Sequence, residues 1–246
     1  MDAVLQVLTC LINIQDLFRN GILFTMRYQV KRVYSWSPDI AYSVGLMTSD
    51  GCLQSDGRHI DVTSKDIEQL VNFSKSIGRS LKISPKHRYK SDAYRIQFSD
   101  VAYYDFLLQV GLTPRKSHTI SKLNIPDKYY RHFLRGLFDG DGTTYGYYDK
   151  RWKNSFMYYI GFTSASKSFL NFISEKNTKM FNTSIKNLSK SKGAYLLMYG
   201  KSDSYKIYKA MYKNSKNLYL SRKKNKIEGF IKEDNNAIIN RNARVL

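Results

Sequence analysis

The apolar positions of this chain fall into short helical and alternating runs that occur twice in the same order. Residues 37–51, SPDIAYSVGLMTSDG, place apolar side chains at helical spacing behind a Pro-Asp start, with an acid in the first turn. Residues 125–142, IPDKYYRHFLRGLFDGDG, repeat that pattern, and both copies end in Asp-Gly. Downstream, IDVTSKDIEQLVNFSKSI (60–77) parallels IGFTSASKSFLNFISEKN (160–177), each a β-like run, a Thr-Ser step and a helical pattern. AYRIQFSDVAYYDFLLQ (93–109) parallels AYLLMYGKSDSYKIYKAMY (194–212), again strand then helix. Finally GLTPRKS (111–117) parallels LYLSRKKNK (218–226), read as turn or coil carrying adjacent basic residues. The pattern predicts an α+β chain built as a duplicated αββαββα unit, over about 37–125 and 126–246. Residues 1–36 read as an N-terminal extension, a helix or a leader, and the stretch after about 227 carries no motif.

Two helices of this kind would pack across a pseudo-two-fold axis. Gly45 in VGLM and Gly136 in RGLF would let them approach closely, and the Asp-Gly ends would then meet. Asp50 and Asp141 are expected side by side there, and two carboxylates at close range need a compensating cation to stay ionised. With no His or Cys beside them, oxygen donors favour a hard ion such as Mg²⁺. An EF-hand loop does not fit, because counting from Asp139 its sixth position is Thr144 rather than Gly and its twelfth is Lys150 rather than Glu. His59, His87, His118 and His132 form no cluster in sequence, and no phosphate-binding G-x-x-x-x-G-K-[ST] loop is present.

Composition then narrows the partner. The chain has 40 Lys+Arg against 20 Asp+Glu, a net charge of +20, with 20 Tyr and 13 Phe interleaved among the basic residues. That excess points to nucleic acid ahead of an anionic membrane surface. Cys10 and Cys52 are the only cysteines, so no disulfide framework or four-cysteine zinc site can form, and a reducing, intracellular setting is expected, cytoplasm or nucleoid, or an organelle. The apolar run near the N-terminus is broken by Gln6, Asn13, Gln15 and Asp16, too polar to span a bilayer.

With these residues in hand, LRGLFDGDG (134–142) resembles the nine-residue motif of the LAGLIDADG homing endonucleases, and SVGLMTSDG (43–51) resembles a first, weaker copy with Ser43 and Thr48 at two motif positions. The stretch from about 38 to 226 looks like the single-chain, two-motif branch of bacterial type. The resemblance implies two antiparallel sheets forming a saddle over double-stranded DNA, and metal-dependent cleavage of both strands across the minor groove, leaving short 3′ overhangs. It implies a monomer. It makes Asp50 and Asp141 catalytic metal ligands, helped by the carbonyls of Ser49 and Gly140, and assigns electrostatic roles to Lys116 and Lys223. A water-positioning place falls on Asp61 in the first unit and on Gly161 in the second. Sheet residues expected to contact DNA are Arg58, His59, Arg88, Lys90, Arg95 and Gln97 in the first half. In the second they are Tyr147, Lys150, Arg151, Lys153, Lys190, Lys192 and Tyr199. The alternation in YRIQF puts Arg95 and Gln97 on one strand face. A cleavage-deficient relative, acting as an RNA-splicing maturase on intron RNA or as a DNA-binding protein, is the alternative that Thr48, Ser49 and Gly161 leave open.

Overall fold

A computed structural model describes residues 32–86, 92–151, 155–191, 193–212 and 218–242. Arg88, Lys90, Lys153 and Lys192, and residues 1–31 of the expected N-terminal extension, lie outside the described residues.

Helix α1 (Pro38–Ser49) starts where the Pro-Asp signal stands: the Ser37 side chain accepts a hydrogen bond from Ile40 N at 3.1 Å. Strands β1 (Gly51–Leu53) and β2 (His59–Ser64) follow, then α2 (Ile67–Ser76), β3 (Ile83–Pro85), β4 (Tyr94–Ser99) and α3 (Val101–Val110). Helix α3 is capped at its start by Asp100 and closed by Gly111, whose φ of 104° an L side chain would strain. The second copy of Pro-Asp opens a 3₁₀ turn (Asp127–Tyr129) rather than the α-helix itself, and α4 (Tyr130–Asp141) begins one turn later. Strands β5 (Gly142–Tyr148) and β6 (Phe156–Ser164), α5 (Lys167–Phe181), β7 (Ser189–Ser191), β8 (Ala194–Tyr199) and α6 (Lys201–Tyr212) repeat the order.

The last expected pair of segments differs. GLTPRKS is a turn, as anticipated, but LYLSRKKNK runs into a 22-residue helix, α7 (Ser221–Asn242). Its basic text hides an apolar stripe. Ile227, Phe230, Ile231 and Ala237 lie on one side of the helix, and Phe230 packs against Phe156 at 5.8 Å between ring centroids, so the helix covers part of the second sheet.

Each sheet has four antiparallel strands, ordered β1-β2-β4-β3 and β5-β6-β8-β7. One core runs through both units, and α1 against α4 is its centre. The two glycines make that contact possible: a Cβ on Gly45 would overlap the Phe133 carbonyl and lie 2.5 Å from Leu137 N, and one on Gly136 would overlap the Tyr42 carbonyl. None of the helices among the described residues is long and apolar enough to cross a membrane.

Candidate metal centre and nucleic-acid interface

The close crossing of α1 and α4 brings the two motif ends together. A Cβ on Gly140 would fall 2.6 Å from Asp50 Oδ2 and overlap Ser49 Oγ, so the two Asp-Gly ends nearly touch. Asp50 closes α1 through its backbone N–H to Leu46 O at 2.9 Å, and its own carbonyl accepts from Thr63 N at 3.2 Å, which fixes it against β2. Its half-buried carboxylate accepts a 2.5 Å hydrogen bond from Gln69 Nε2, and Gln69 in turn accepts from the Ser64 hydroxyl at 3.0 Å. Asp141 reaches solvent at the end of α4.

The electrostatics of this pair favour a cation. Burial against the helix ends, followed by the Asp50 charge, pushes the Asp141 carboxyl up to about 6, while Lys223 and Lys116 pull it down. Burial also raises Asp50, opposed first by the Gln69 hydrogen bond and then by Lys223. Both acids sit at helix C-termini, where the helix dipoles also favour positive charge. The donors expected there would all be oxygen: two carboxylates and the carbonyls of Ser49 and Gly140. Such a set suits a hard divalent ion that keeps waters and takes substrate oxygens as its remaining ligands. Among the described residues no third His, Cys, Asp or Glu joins the cluster.

Both lysines expected at the site are there, but their ammonium groups are engaged with backbone carbonyls. Lys223 Nζ donates to the carbonyls of Phe138 (2.7 Å), Gly140 (2.6 Å) and Gly142 (2.7 Å), closing the C-terminus of α4. Lys116 Nζ donates to the Gly51 carbonyl. Burial lowers both pKa values, Lys223 to about 8, and the nearby acids oppose it. The carbonyl of Gly140, expected to help hold a metal, therefore already accepts one hydrogen bond.

Asp139, two residues before Asp141, has a different place. It is 1% exposed, and its carboxylate accepts from Tyr42 Oη (2.7 Å), Tyr212 Oη (3.4 Å) and Leu220 N (2.8 Å), joining α4 to α1, α6 and the segment before α7. Burial raises it to about 6 despite those donors. At the matching position of the first copy, Thr48 bonds its own helix, donating to Val44 O at 2.8 Å.

The open faces of the two sheets differ in chemistry. On the first, Arg95 stands opposite Thr63 and Gln97 opposite Asp61, with Arg95 Nη1 3.9 Å from Asp61 Oδ2. Arg58 and His59 both lie against Asp56, whose carboxyl is held well below the usual range first by the His59 hydrogen bond. On the second, Tyr147 lies on the open face, and Lys150 and Arg151 form the β5–β6 turn, with Arg151 paired to Asp149 at 2.9 Å. Lys190 is corrected: paired with Tyr195 across β7 and β8 and 5.8 Å from the centre of its ring, it lies on the helix side of the sheet rather than on the open face. Tyr199 is corrected: the alternation of β8 turns Tyr195, Leu197 and Tyr199 towards the helices. Tyr199 is fully buried, its hydroxyl accepting from Asn177 Nδ2 at 3.0 Å, and it cannot contact DNA. The second unit's counterpart of Asp61 is Gly161, and Met198 Sδ occupies the space a side chain would need there. Gln69, Tyr145, Tyr159 and Met198 were not singled out by sequence. Gln69 reads as one polar position of an amphipathic helix, and only the fold carries it to Asp50.

The LAGLIDADG-like domain family matches residues 128–213, from the turn before α4 to the end of α6. No curated protein matches the sequence. Among solved structures, full-length DUF199/WhiA from Thermatoga maritima is similar at TM-score 0.51 and 16% identity, covering 87% of this chain and 69% of that one. The I-LtrWI LAGLIDADG homing endonuclease bound to target DNA is similar at TM-score 0.55 and 10% identity, over 80% of this chain and 90% of that one. The meganuclease I-SmaMI bound to uncleaveable DNA gives TM-score 0.55 and 15% identity, over 86% and 92%. At such identities the likeness is one of fold. Residues 128–213 carry a LAGLIDADG-like domain, and the same αββαββα order recurs in the first half of the chain.

Proposed function

We propose that this chain is a site-specific endonuclease that docks double-stranded DNA on its two sheets and hydrolyses a phosphodiester in each strand at the α1–α4 crossing. The observation that carries this reading is the meeting of Asp50 and Asp141, the last acids of two repeated motifs, at one point between two pseudo-symmetric sheets. DNA-bound homing endonucleases among the structures of the same fold support the choice of duplex DNA as substrate, as does the net charge of +20. The protein would act as a monomer, since one chain supplies both motifs.

Asp50, Asp141 and the carbonyls of Ser49 and Gly140 would hold a divalent cation such as Mg²⁺, which when bound activates water and neutralises charge on the scissile phosphate and the leaving 3′ oxygen. Gln69 orients the Asp50 carboxylate. Lys223 and Lys116 keep the ends of the two motifs rigid and add positive potential beside the phosphate. Short 3′ overhangs would result from two cuts offset across the minor groove.

A second reading, DNA or intron RNA binding without cleavage, is favoured by one feature: both lysines are buried on carbonyls rather than presented to a phosphate. The two readings separate in one experiment. A randomised duplex library is incubated with Mg²⁺ and wild-type protein, Asp50→Asn or Asp141→Asn. Discrete double-strand cuts by the wild type alone support the endonuclease. Tight binding of a sequence or a folded intron RNA with no cutting would overturn it in favour of the binding protein.

A further inference from the structure

The open face of the second sheet carries an array of aromatic and thioether side chains. Tyr145 and Tyr147 on β5 and Tyr159 on β6 stack in near-parallel rings: Tyr145–Tyr159 centroids are 4.9 Å apart at 17°, Tyr147–Tyr159 6.1 Å at 10° and Tyr145–Tyr147 6.4 Å at 9°. The hydroxyls of Tyr147 and Tyr159 are 3.4 Å apart. Next to them the alternation of β6 and β8 places Met157 and Met198 on the same face, with Met198 lying across Gly161. On the first sheet Gln97 stands where the second has Met198, Asp61 where it has Gly161 and Arg95 where it has Leu196, so hydrogen-bonding side chains replace apolar ones at these places. One protein thus presents two unlike reading surfaces.

Tyr145 and Tyr147 are 43% and 46% exposed, far from the burial expected of aromatic rings in a finished core. Tyr145 and Tyr159, the closest pair at 4.9 Å, cover part of each other's ring faces, which leaves ring edges and phenol hydroxyls to meet a ligand. A stack arranged in this way is poorly placed to sandwich an unpaired base, which needs a free ring face. Ring edges and thioethers instead complement the one apolar feature of the DNA major groove, the thymine 5-methyl group. Lys150, next to the Arg151–Asp149 ion pair in the turn bordering this face, together with the net charge of +20 suits flanking phosphates, and that charge complementarity selects DNA over an apolar protein surface.

Resting on the DNA-binding reading above, we propose that the half-site docked on the second sheet is read through thymine methyl groups, while the half-site on the first sheet is read by hydrogen bonds. Specificity in the second half depends on apolar contact between Tyr145, Tyr147, Tyr159, Met157 and Met198 and a run of two or more thymines. Removing the 5-methyl group, by replacing thymine with uracil, leaves base pairing and every hydrogen-bonding edge intact and deletes only that contact.

The test uses full-length Asp141→Asn protein, expected to bind without cutting, to select duplexes from a randomised library. The enriched site is then made with uracil for thymine in one half at a time. At about 0.8 kcal/mol per buried methyl, each methyl lost weakens binding about fourfold, so two contacts give roughly fifteenfold. The expected result is that loss in one half only. Introducing Tyr145→Ser with Met198→Ser should abolish the uracil effect, whereas Arg95→Ala should weaken binding and leave that effect in place. A selected site with no thymine run, equal tolerance of uracil in both halves, or a uracil effect unchanged in the Tyr145→Ser/Met198→Ser protein overturns the inference while the DNA-binding reading stands. Failure to bind any duplex overturns both.

Discussion

Gln69 Nε2 donates a 2.5 Å hydrogen bond to Asp50 Oδ2, and at the corresponding place of the second unit the chain has Phe169, so the two motif acids are not equivalent. At Asp141, burial and the Asp50 charge act without a donor of that kind to oppose them. A hydrogen bond to a charged acceptor is worth about 1.5–3 kcal/mol, or about one to two pH units on a carboxyl. Gln69→Leu should therefore raise Asp50 further. Mn²⁺ binding followed against pH should show its acid limb moved upward, and an unmoved limb would show that Gln69 has no hold on the site.

In the wild type the same limb is expected near the Asp141 value of about 6. A cation binds the ionised acids, and protons compete with it once the pH falls through that region. Calorimetric titration with Mn²⁺ should give affinity at pH 5 at least about tenfold weaker than at pH 7.5. Equal affinity at the two values would be the contrary result.

Asp141→Asn should abolish cleavage and yet stabilise the metal-free protein. The folded carboxyl titrates at about 6, above its ordinary value of 3.8, so folding favours the protonated form. The ionised wild type is penalised above pH 6, and the penalty disappears as the pH falls below about 4, where both folded and unfolded states are protonated. Because the side chain reaches solvent, screening limits the gain to about 1 kcal/mol at pH 8. Thermal melts of both proteins at pH 8 and pH 4 check the sign: the variant should melt higher at pH 8 and level with the wild type at pH 4.

Gly136→Ala should cost about 3 kcal/mol or more, because the added Cβ meets the Tyr42 backbone carbonyl and neither helix can yield without moving the other. Urea unfolding measures it. Gly229→Ala, with open space around that exposed position inside α7, serves as control and should stabilise by about 0.5–1 kcal/mol, the opposite sign.

Lys223→Met should destabilise by about 2–3 kcal/mol by leaving the carbonyls of Phe138, Gly140 and Gly142 without their donor. Cleavage per folded molecule should also fall, since the Gly140 and Asp141 end of α4 loses its anchor. A variant with full stability would show that Lys223 is free to serve the phosphate.

Much of the architecture was legible because its signals are local. The two helices ending in Asp-Gly, the Thr-Ser steps before α2 and α5, and the strand-helix pairs Tyr94–Val110 and Ala194–Tyr212 follow from periodicity, capping and turn residues, all set within a few positions. The basic text of LYLSRKKNK misled for the same reason: its apolar stripe at Ile227, Ile231 and Ala237 is sparse, and only contact with the second sheet makes the segment a helix.

By itself, then, the sequence determined a duplicated αββαββα order, two small-residue positions for a close helix crossing, and one carboxylate at the end of each crossing helix. Tertiary structure decided what those residues do. It buried Tyr199, directed the lysine ammonium groups onto carbonyls 65 and 85 residues away, brought Gln69 to Asp50 and left the three tyrosines on an open face. The physical reason is range. Backbone propensity and side-chain alternation act between near neighbours, whereas an unpaired carbonyl or an uncovered sheet face exists only after distant segments have packed, and the side chain that meets it is chosen there.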